Sequence, residues 1–148
     1  MSAKNYAINS YQRVGVESGV ASADSHKLIQ MLFEGSISAL NRAKQEIQHN
    51  NIAAKGEMIS KAISIIDNGL KASLDISAGG EIANNLQALY DYMTKQLLIA
   101  NIQSNIKIIN EIIGLLSQLQ DAWKSIGNKE KERTKSNVHQ INNTPALK

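Results

Sequence analysis

Glu46-Ile47-Gln48-His49 is the stretch of this chain whose residue types and spacing could hold a metal. Glu-x-x-His sets a carboxylate and an imidazole one turn apart, the pattern used by bundles that bind a pair of iron ions. Such a site needs two of these motifs and two more inward glutamates. The other histidines, His26 and His139, do not follow a glutamate by three residues. His49 also falls in the polar break Gln48-His49-Asn50-Asn51, so it reads as a solvated loop histidine. Cysteine is absent, which removes thiolate nucleophiles, thiolate metal sites and disulfides. The serines lack a His/Asp constellation, the carboxylates are dispersed over polar faces, and Gly79-Gly80 lacks the rest of a phosphate-binding loop. No catalytic residue, metal ligand or cofactor site is expected, and the chain does not read as an enzyme.

Charge points away from nucleic acid. Residues 1–126 carry 11 Lys/Arg and 11 Asp/Glu, whereas residues 127–148 carry five basic residues against two acidic ones. The formal excess of +3 therefore sits in the tail. A nucleic-acid binder would spread basic residues over one face of its folded part. Interleaved acids make the run Lys129-Glu130-Lys131-Glu132-Arg133-Thr134-Lys135 a solvated segment rather than a basic patch. The first residues contain no apolar core of a secretory signal. The densest apolar run, Ile106 to Leu119, is interrupted by Lys107, Asn110, Glu111 and Gly114, so no membrane span is expected.

The elements follow from periodicity. One proline, Pro145, in 148 residues favours helices. Residues 1–23 read as a mobile N-terminal arm with scattered apolar residues. Asp24 is a plausible N-cap for a first helix over about 25–48, with the stripe Leu28, Leu32, Gly35, Ala39, Ala43 and Ile47. A second helix over about 52–76 carries Ile59, Ile63, Ile66, Leu70 and Leu74, and Ser77-Ala78-Gly79-Gly80 is expected to stop it. A third over about 81–103 carries Ile82, Leu86, Leu89, Met93, Leu97 and Ala100. The fourth, capped by Ser104 or Asn105, spans about 105–126 with Ile109, Ile112, Leu116, Leu119, Trp123 and Ile126. Periodicity ends at Gly127, and residues 127–148 read as a disordered basic and polar tail. The fold class is all-α: an antiparallel up-down four-helix bundle over 24–126 with an arm and a tail.

These helices carry more apolar residues than one core stripe needs. Tyr92, Leu98, Ile99 and Ile102 on the third helix, and Ile106, Ile108, Ile113 and Leu115 on the fourth, lie off the stripe. One reading is a wide core contact, since each bundle helix faces two neighbours. The other is an external groove for amphipathic partner helices. Periodicity selects Tyr92, Ile99, Ile108 and Leu115 as groove candidates, with Ile65 as a lesser one.

The segment Gly79-Gly80-Glu81-Ile82-Ala83-Asn84-Asn85-Leu86-Gln87-Ala88-Leu89-Tyr90-Asp91-Tyr92-Met93 resembles the signature of the flagellin-specific secretion chaperones, the FliS family. Further matching segments are His26-Lys27-Leu28-Ile29-Gln30-Met31-Leu32-Phe33-Glu34-Gly35, Lys61 to Lys71, Leu97-Leu98-Ile99-Ala100-Asn101 and Asp121-Ala122-Trp123-Lys124. The likeness covers nearly all of residues 8–126. One departure is Asp24-Ser25 where the family often has Ser-Pro; the cap survives but the preset proline φ is lost.

The resemblance implies a bacterial cytoplasmic export chaperone. Such a protein binds the disordered C-terminal segment of flagellin, prevents its premature polymerisation and delivers it to the flagellar type III export gate protein FlhA. It also implies, for some members, contact with an anti-sigma factor. Ile8 and Tyr11 match the family's Ile-x-x-Tyr element in the arm, implicated in gate docking and in covering the client groove; packing the arm onto the bundle would explain them equally well. The alternative to a chaperone is a helical adaptor that self-associates through its second apolar face. A monomer or weak homodimer is expected.

Overall fold

The structure, a computed structural model, describes the backbone of residues 24–142 and the side chains of residues 24–128. Four helices make up the described chain: α1 (Ser25–Gln48), α2 (Ile52–Ser64, continued as a π-helical segment Ile65–Lys71), α3 (Ile76–Gln103) and α4 (Ile106–Asn142). No strand occurs among the described residues, and no helix among them is long and apolar enough to cross a membrane.

Short connections force neighbouring helices to run antiparallel, and cross-helix contacts fix which ends meet. The start of α1 meets the later part of α4 through His26 and Trp123. The end of α1 meets the start of α4 where Lys44 Nζ donates to Asn110 Oδ1 at 2.8 Å. The start of α2 meets the end of α3 through Lys55 and Asn101. Each helix thus packs on two neighbours, in the ring α1-α2-α3-α4. Inside lies a core of Leu32, Leu40, Ile59, Ile66, Leu70, Met93, Leu97, Ile109, Ile112 and Leu116, all nearly or fully buried. Burial of each such side chain stabilises the fold by about 1.5–3 kcal/mol relative to exposure.

Local chemistry sets most helix ends. Asp24 Oδ1 accepts from the Lys27 amide at 2.8 Å, the N-cap expected from sequence. Asn105, rather than Ser104, caps α4 by accepting from the Ile108 amide at 3.2 Å. Ser104 instead takes a left-handed conformation (φ 49°) at the end of α3.

Several boundaries differ from the sequence reading. The second helix ends at Lys71, not 76, because Asp75 opens the next one: its Oδ1 accepts from the Ala78 amide at 3.1 Å. Gly79-Gly80 therefore kinks α3 near its start instead of ending α2. Gly80 has φ 56° and ψ −132°, a region a side chain would disfavour, and a Cβ on Gly79 would lie 2.6 Å from Ala83 Cβ. Past the kink, Ala83 faces the core, and Ile82, expected on the core stripe, is 73% exposed. Ile126, also expected on the stripe, is exposed, and Gly127 is buried in its place. The fourth helix continues to Asn142 rather than ending at 126. An apolar stripe reports core contact, not helix formation. Lys, Glu and Arg at 129–133 are good helix formers, and no proline intervenes before Pro145. Residues 1–23 and 143–148 lie outside the described residues.

Candidate functional site

The metal reading of Glu46 and His49 has no geometry behind it. Glu46 accepts from Asn51 Nδ2 at 2.9 Å and pairs with Arg42 Nε at 3.2 Å. Those two partners, Asn51 first, hold its carboxyl below the usual carboxylate range. The carboxylate thus ties the end of α1 to the turn that follows. No cluster of three metal-ligating side chains occurs among the described residues.

Apolar surface is a different matter. On α3, Tyr92 and Ile99 are exposed, Leu98 is 54% exposed and Ile102 is 85% exposed. Tyr92, Ile99 and Ile102 fall on one side of the helix by their spacing, with Leu98 beside them. The outward side of α3 therefore presents large apolar groups where a bundle helix ordinarily presents charge. Leu98 and Ile102 stand out by periodicity as off-stripe, but that pattern alone does not show them to be the most exposed members of the set.

The sequence-derived candidates fall on two seams. Tyr92 meets α4: its hydroxyl donates to both Glu111 carboxylate oxygens, at 3.0 and 3.2 Å, and this bond raises the phenol pKa. Ile108 and Leu115 flank Glu111 one turn away on either side, half-buried and packed against the core. Ile99 lies further along α3. Ile65 is elsewhere, half-buried on the π-helical segment, 3.4 Å from where a Cβ on Gly35 of α1 would sit. Ile8 and Tyr11 lie outside the described residues.

A second apolar feature has no signature in periodicity. At the end of the bundle where α1 and α3 begin, the second helix ends and α4 passes, lies a cleft of about 710 Å³. That is within the size range of ligand pockets, ~300–1,000 Å³. Phe33, Leu70, Leu86, Leu119 and Trp123 line it, and Asp24, Ser25 and His26 edge it. Tyr90 lines it from α3 and is only 3% exposed. Burial pushes its phenol pKa up to about 12, and no partner among the described residues bonds its hydroxyl. Ile82, displaced outward by the Gly80 kink, belongs to the same cleft.

The π-helical segment braces this end. Lys71 Nζ bonds Asp91 Oδ1 of α3 at 2.8 Å and lies 3.4 Å from Asp67 Oδ1. The Asp91 bond is the main cause of a raised lysine pKa. Gly69 lets α1 approach closely, since a Cβ there would stand 3.0 Å from Leu32 Cδ2.

Comparison with known proteins identifies relatives of this chain. Residues 7–130 match the family model described as "Flagellar protein FliS". The chain is 54% identical over 122 residues to the "Flagellar secretion chaperone FliS" of Salmonella typhimurium (strain LT2), covering 82% of this chain and 90% of that protein. It is 46% identical over 114 residues to the protein of that name from Escherichia coli (strain K12), covering 77% and 84%. It is 38% identical over 120 residues to the "Flagellar secretion chaperone FliSB" of Pseudomonas aeruginosa, covering 81% and 94%.

Proposed function

This chain belongs to the FliS family of flagellar secretion chaperones, so it is a chaperone and not an enzyme, and we propose that its client is the disordered C-terminal segment of flagellin. The observation that carries this reading is the apolar outward side of α3, where Tyr92, Leu98, Ile99 and Ile102 face solvent. A segment that forms helices only on assembly can lay an amphipathic face along such a side. Bound there, its assembly-forming apolar residues are masked and polymerisation is blocked. The α3/α4 seam at Tyr92, Ile108 and Leu115 extends the same surface, and Ile65 would serve a part of the client that reaches the α1/α2 seam. Binding takes place in the cytoplasm, before export.

Delivery to the export gate protein FlhA is assigned to Ile8 and Tyr11 of the arm, on the Ile-x-x-Tyr spacing. A chain with Ile8→Ala and Tyr11→Ala should still bind flagellin but lose the gate. Retained gate binding and export would refute that assignment.

The test of the client is size-exclusion chromatography with light scattering, using monomeric flagellin of the same organism, full-length and lacking its C-terminal segment. A 1:1 complex with the full-length form alone is expected. No complex with either, beside a stable homodimer of the chaperone, would instead make the apolar surface a self-association face.

A further inference from the structure

The second helix changes its winding where it reaches α3. Ile65–Lys71 is π-helical, with backbone bonds to the fifth residue rather than the fourth. Such turns are rare and recur at working parts of proteins. The apolar pattern does not call for one, since the buried Ile66 and Leu70 keep the four-residue spacing of an α-helical stripe. The charged side chains of the segment are at odds with this winding. Asp67 and Lys71 stand four apart with the acid first, the order that pairs best along an α-helix. Here Lys71 Nζ gives its short bond to Asp91 Oδ1 of α3, at 2.8 Å, and stays 3.4 Å from Asp67 Oδ1. The Asp67 side chain is 38% exposed, yet its Oδ1 is closed off from solvent and accepts no hydrogen bond. Among the described residues it is the one buried side-chain polar atom left in that state, and such atoms ask for an explanation. The i-to-i+5 ladder carries Lys71 round the helix axis, off Asp67 and towards α3. An α-helical ladder would set Lys71 over Asp67 and satisfy the oxygen.

We propose that Ile65–Lys71 is a two-state latch in which Lys71 passes between two carboxylates. With Lys71 on Asp91 the segment is π-helical and the second helix is tied to α3. With Lys71 on Asp67 the segment is α-helical and α3 is released. The exchange replaces one ion pair by another, so it costs no unpaired charge. Gly69 faces Leu32 of α1 without a side chain, which leaves the segment room to turn against that helix. Packing of Ile66 and Leu70 in the core holds the π-helical state as the resting one. Asp91 lies between Tyr90, which lines the terminal cleft, and Tyr92, on the outward side of α3. The latch therefore acts on the helix that carries both apolar surfaces. A molecule that binds either surface more tightly in one state shifts the population of that state.

Removing each carboxylate in turn tests the latch in the free, full chain. Both sites are partly exposed and helical, so Asp91→Ala and Asp67→Ala should fold. Scalar couplings across backbone hydrogen bonds, read by NMR, report whether amides of the segment bond the fourth or the fifth residue back. Amide hydrogen exchange over residues 72–82 reports how firmly the start of α3 is held. In Asp91→Ala, Lys71 should pass to Asp67, the couplings should shift to the fourth residue, and exchange should quicken about two- to fivefold, the effect of one partly exposed ion pair. In Asp67→Ala, the second partner and the unmet oxygen are both gone. The i-to-i+5 couplings should persist and exchange should slow by about the same factor. A purely structural Asp67, supporting Lys71 where it stands, would give the opposite sign. Persistence of the i-to-i+5 couplings in Asp91→Ala would mean that packing alone sets the winding, and the inference would fall. Faster exchange in Asp67→Ala would overturn it as well.

Discussion

Trp123 and His26, 97 residues apart, clasp each other. The indole Nε1–H donates to the His26 carbonyl at 2.9 Å, and His26 Nε2 lies 2.7 Å from the Trp123 carbonyl. Their rings stack with centroids 4.7 Å apart and planes 9° from parallel. A carbonyl only accepts, so Nε2 carries the proton in this bond. The clasp ties the first turn of α1 to the last core-contacting turns of α4 and forms one edge of the cleft. Trp123→Phe keeps an aromatic face but loses the indole donor, leaving the His26 carbonyl without that bond. A loss of about 1–2 kcal/mol in unfolding free energy is expected. Trp123 is the only tryptophan, so far-UV circular dichroism in urea, not fluorescence, should follow the variant.

Gly127 makes that clasp possible. A Cβ on it would overlap the His26 ring. Gly127→Ala gains about 1 kcal/mol of helix propensity, but the overlap displaces the imidazole, which breaks its bond to the Trp123 carbonyl and its stacking on the indole. The net result should be a lower melting temperature. Combined with His26→Ala, the same substitution should become stabilising. A double-mutant cycle measures this sign change, and its absence would show that the clash relaxes at no cost.

Much of this was legible in the residues. The first helix shows its cap in Asp24 and its stripe in Leu28, Leu32, Ala39 and Ala43, and the structure returns both. The fourth shows Ile109, Ile112 and Leu116, all buried. The α2/α3 boundary was not legible. Gly79-Gly80 is the strongest stop signal in that region and hides a weaker start signal at Asp75. The off-stripe residues divide by helix. Those on α3 project outward, whereas Ile108, Ile113 and Leu115 on α4 rest against the core, because periodicity assigns a residue to a side of its helix and not to a neighbour. The terminal cleft is lined by segments far apart in the sequence, a juxtaposition that no one-dimensional pattern reports.

Lys55 is a second stability determinant outside the apolar core. It is buried in the first turns of α2, and its Nζ donates to the Asn101 carbonyl at 2.7 Å and Ser104 Oγ at 3.0 Å. The cation closes the C-terminal end of α3, where exposed carbonyls favour positive charge. Lys55→Met preserves length and removes both bonds, leaving a carbonyl unmet. A destabilisation of about 1–3 kcal/mol is expected in urea denaturation. Lys55→Arg should lose less, since a cation remains near the carbonyls.

Tyr90 gives the protein an alkaline limit. Its phenol ionises near 10 when unfolded and at about 12 when folded, because burial opposes the charged form. The folded state therefore holds this proton more tightly. Stability from it is complete below pH 10 and falls as pH rises from 10 towards 12, because the unfolded chain then binds fewer protons. The contribution at stake is roughly 2–3 kcal/mol. Tyr90→Phe should flatten the fall in stability between pH 9.5 and 11.5 relative to the unmodified chain. Lys71, whose pKa is also raised, loses stability in the same direction in both proteins and cancels in the comparison. Equal slopes would mean that the phenol is solvated in the folded chain.

Charge placed on the two kinds of off-stripe residue should separate client contact from core contact. Leu98, Ile99 and Ile102 face solvent, so a glutamate at any of them should change folding stability by no more than about 0.5 kcal/mol. On the proposed client surface the same charge meets an apolar partner, and flagellin affinity should fall at least tenfold, about 1.4 kcal/mol. Ile108 and Leu115 are half-buried against the core, so glutamate there must either desolvate its carboxylate or push α4 outward. Ile108→Glu and Leu115→Glu should therefore lose about 2–4 kcal/mol of folding stability, in addition to whatever client contact they make at the α3/α4 seam. Urea denaturation and calorimetric titration, run on the same five variants, decide between the two sets. If Ile102→Glu and Leu98→Glu bind flagellin at full strength while Leu115→Glu folds normally and binds weakly, the client lies along the α3/α4 seam and the outward side of α3 is idle.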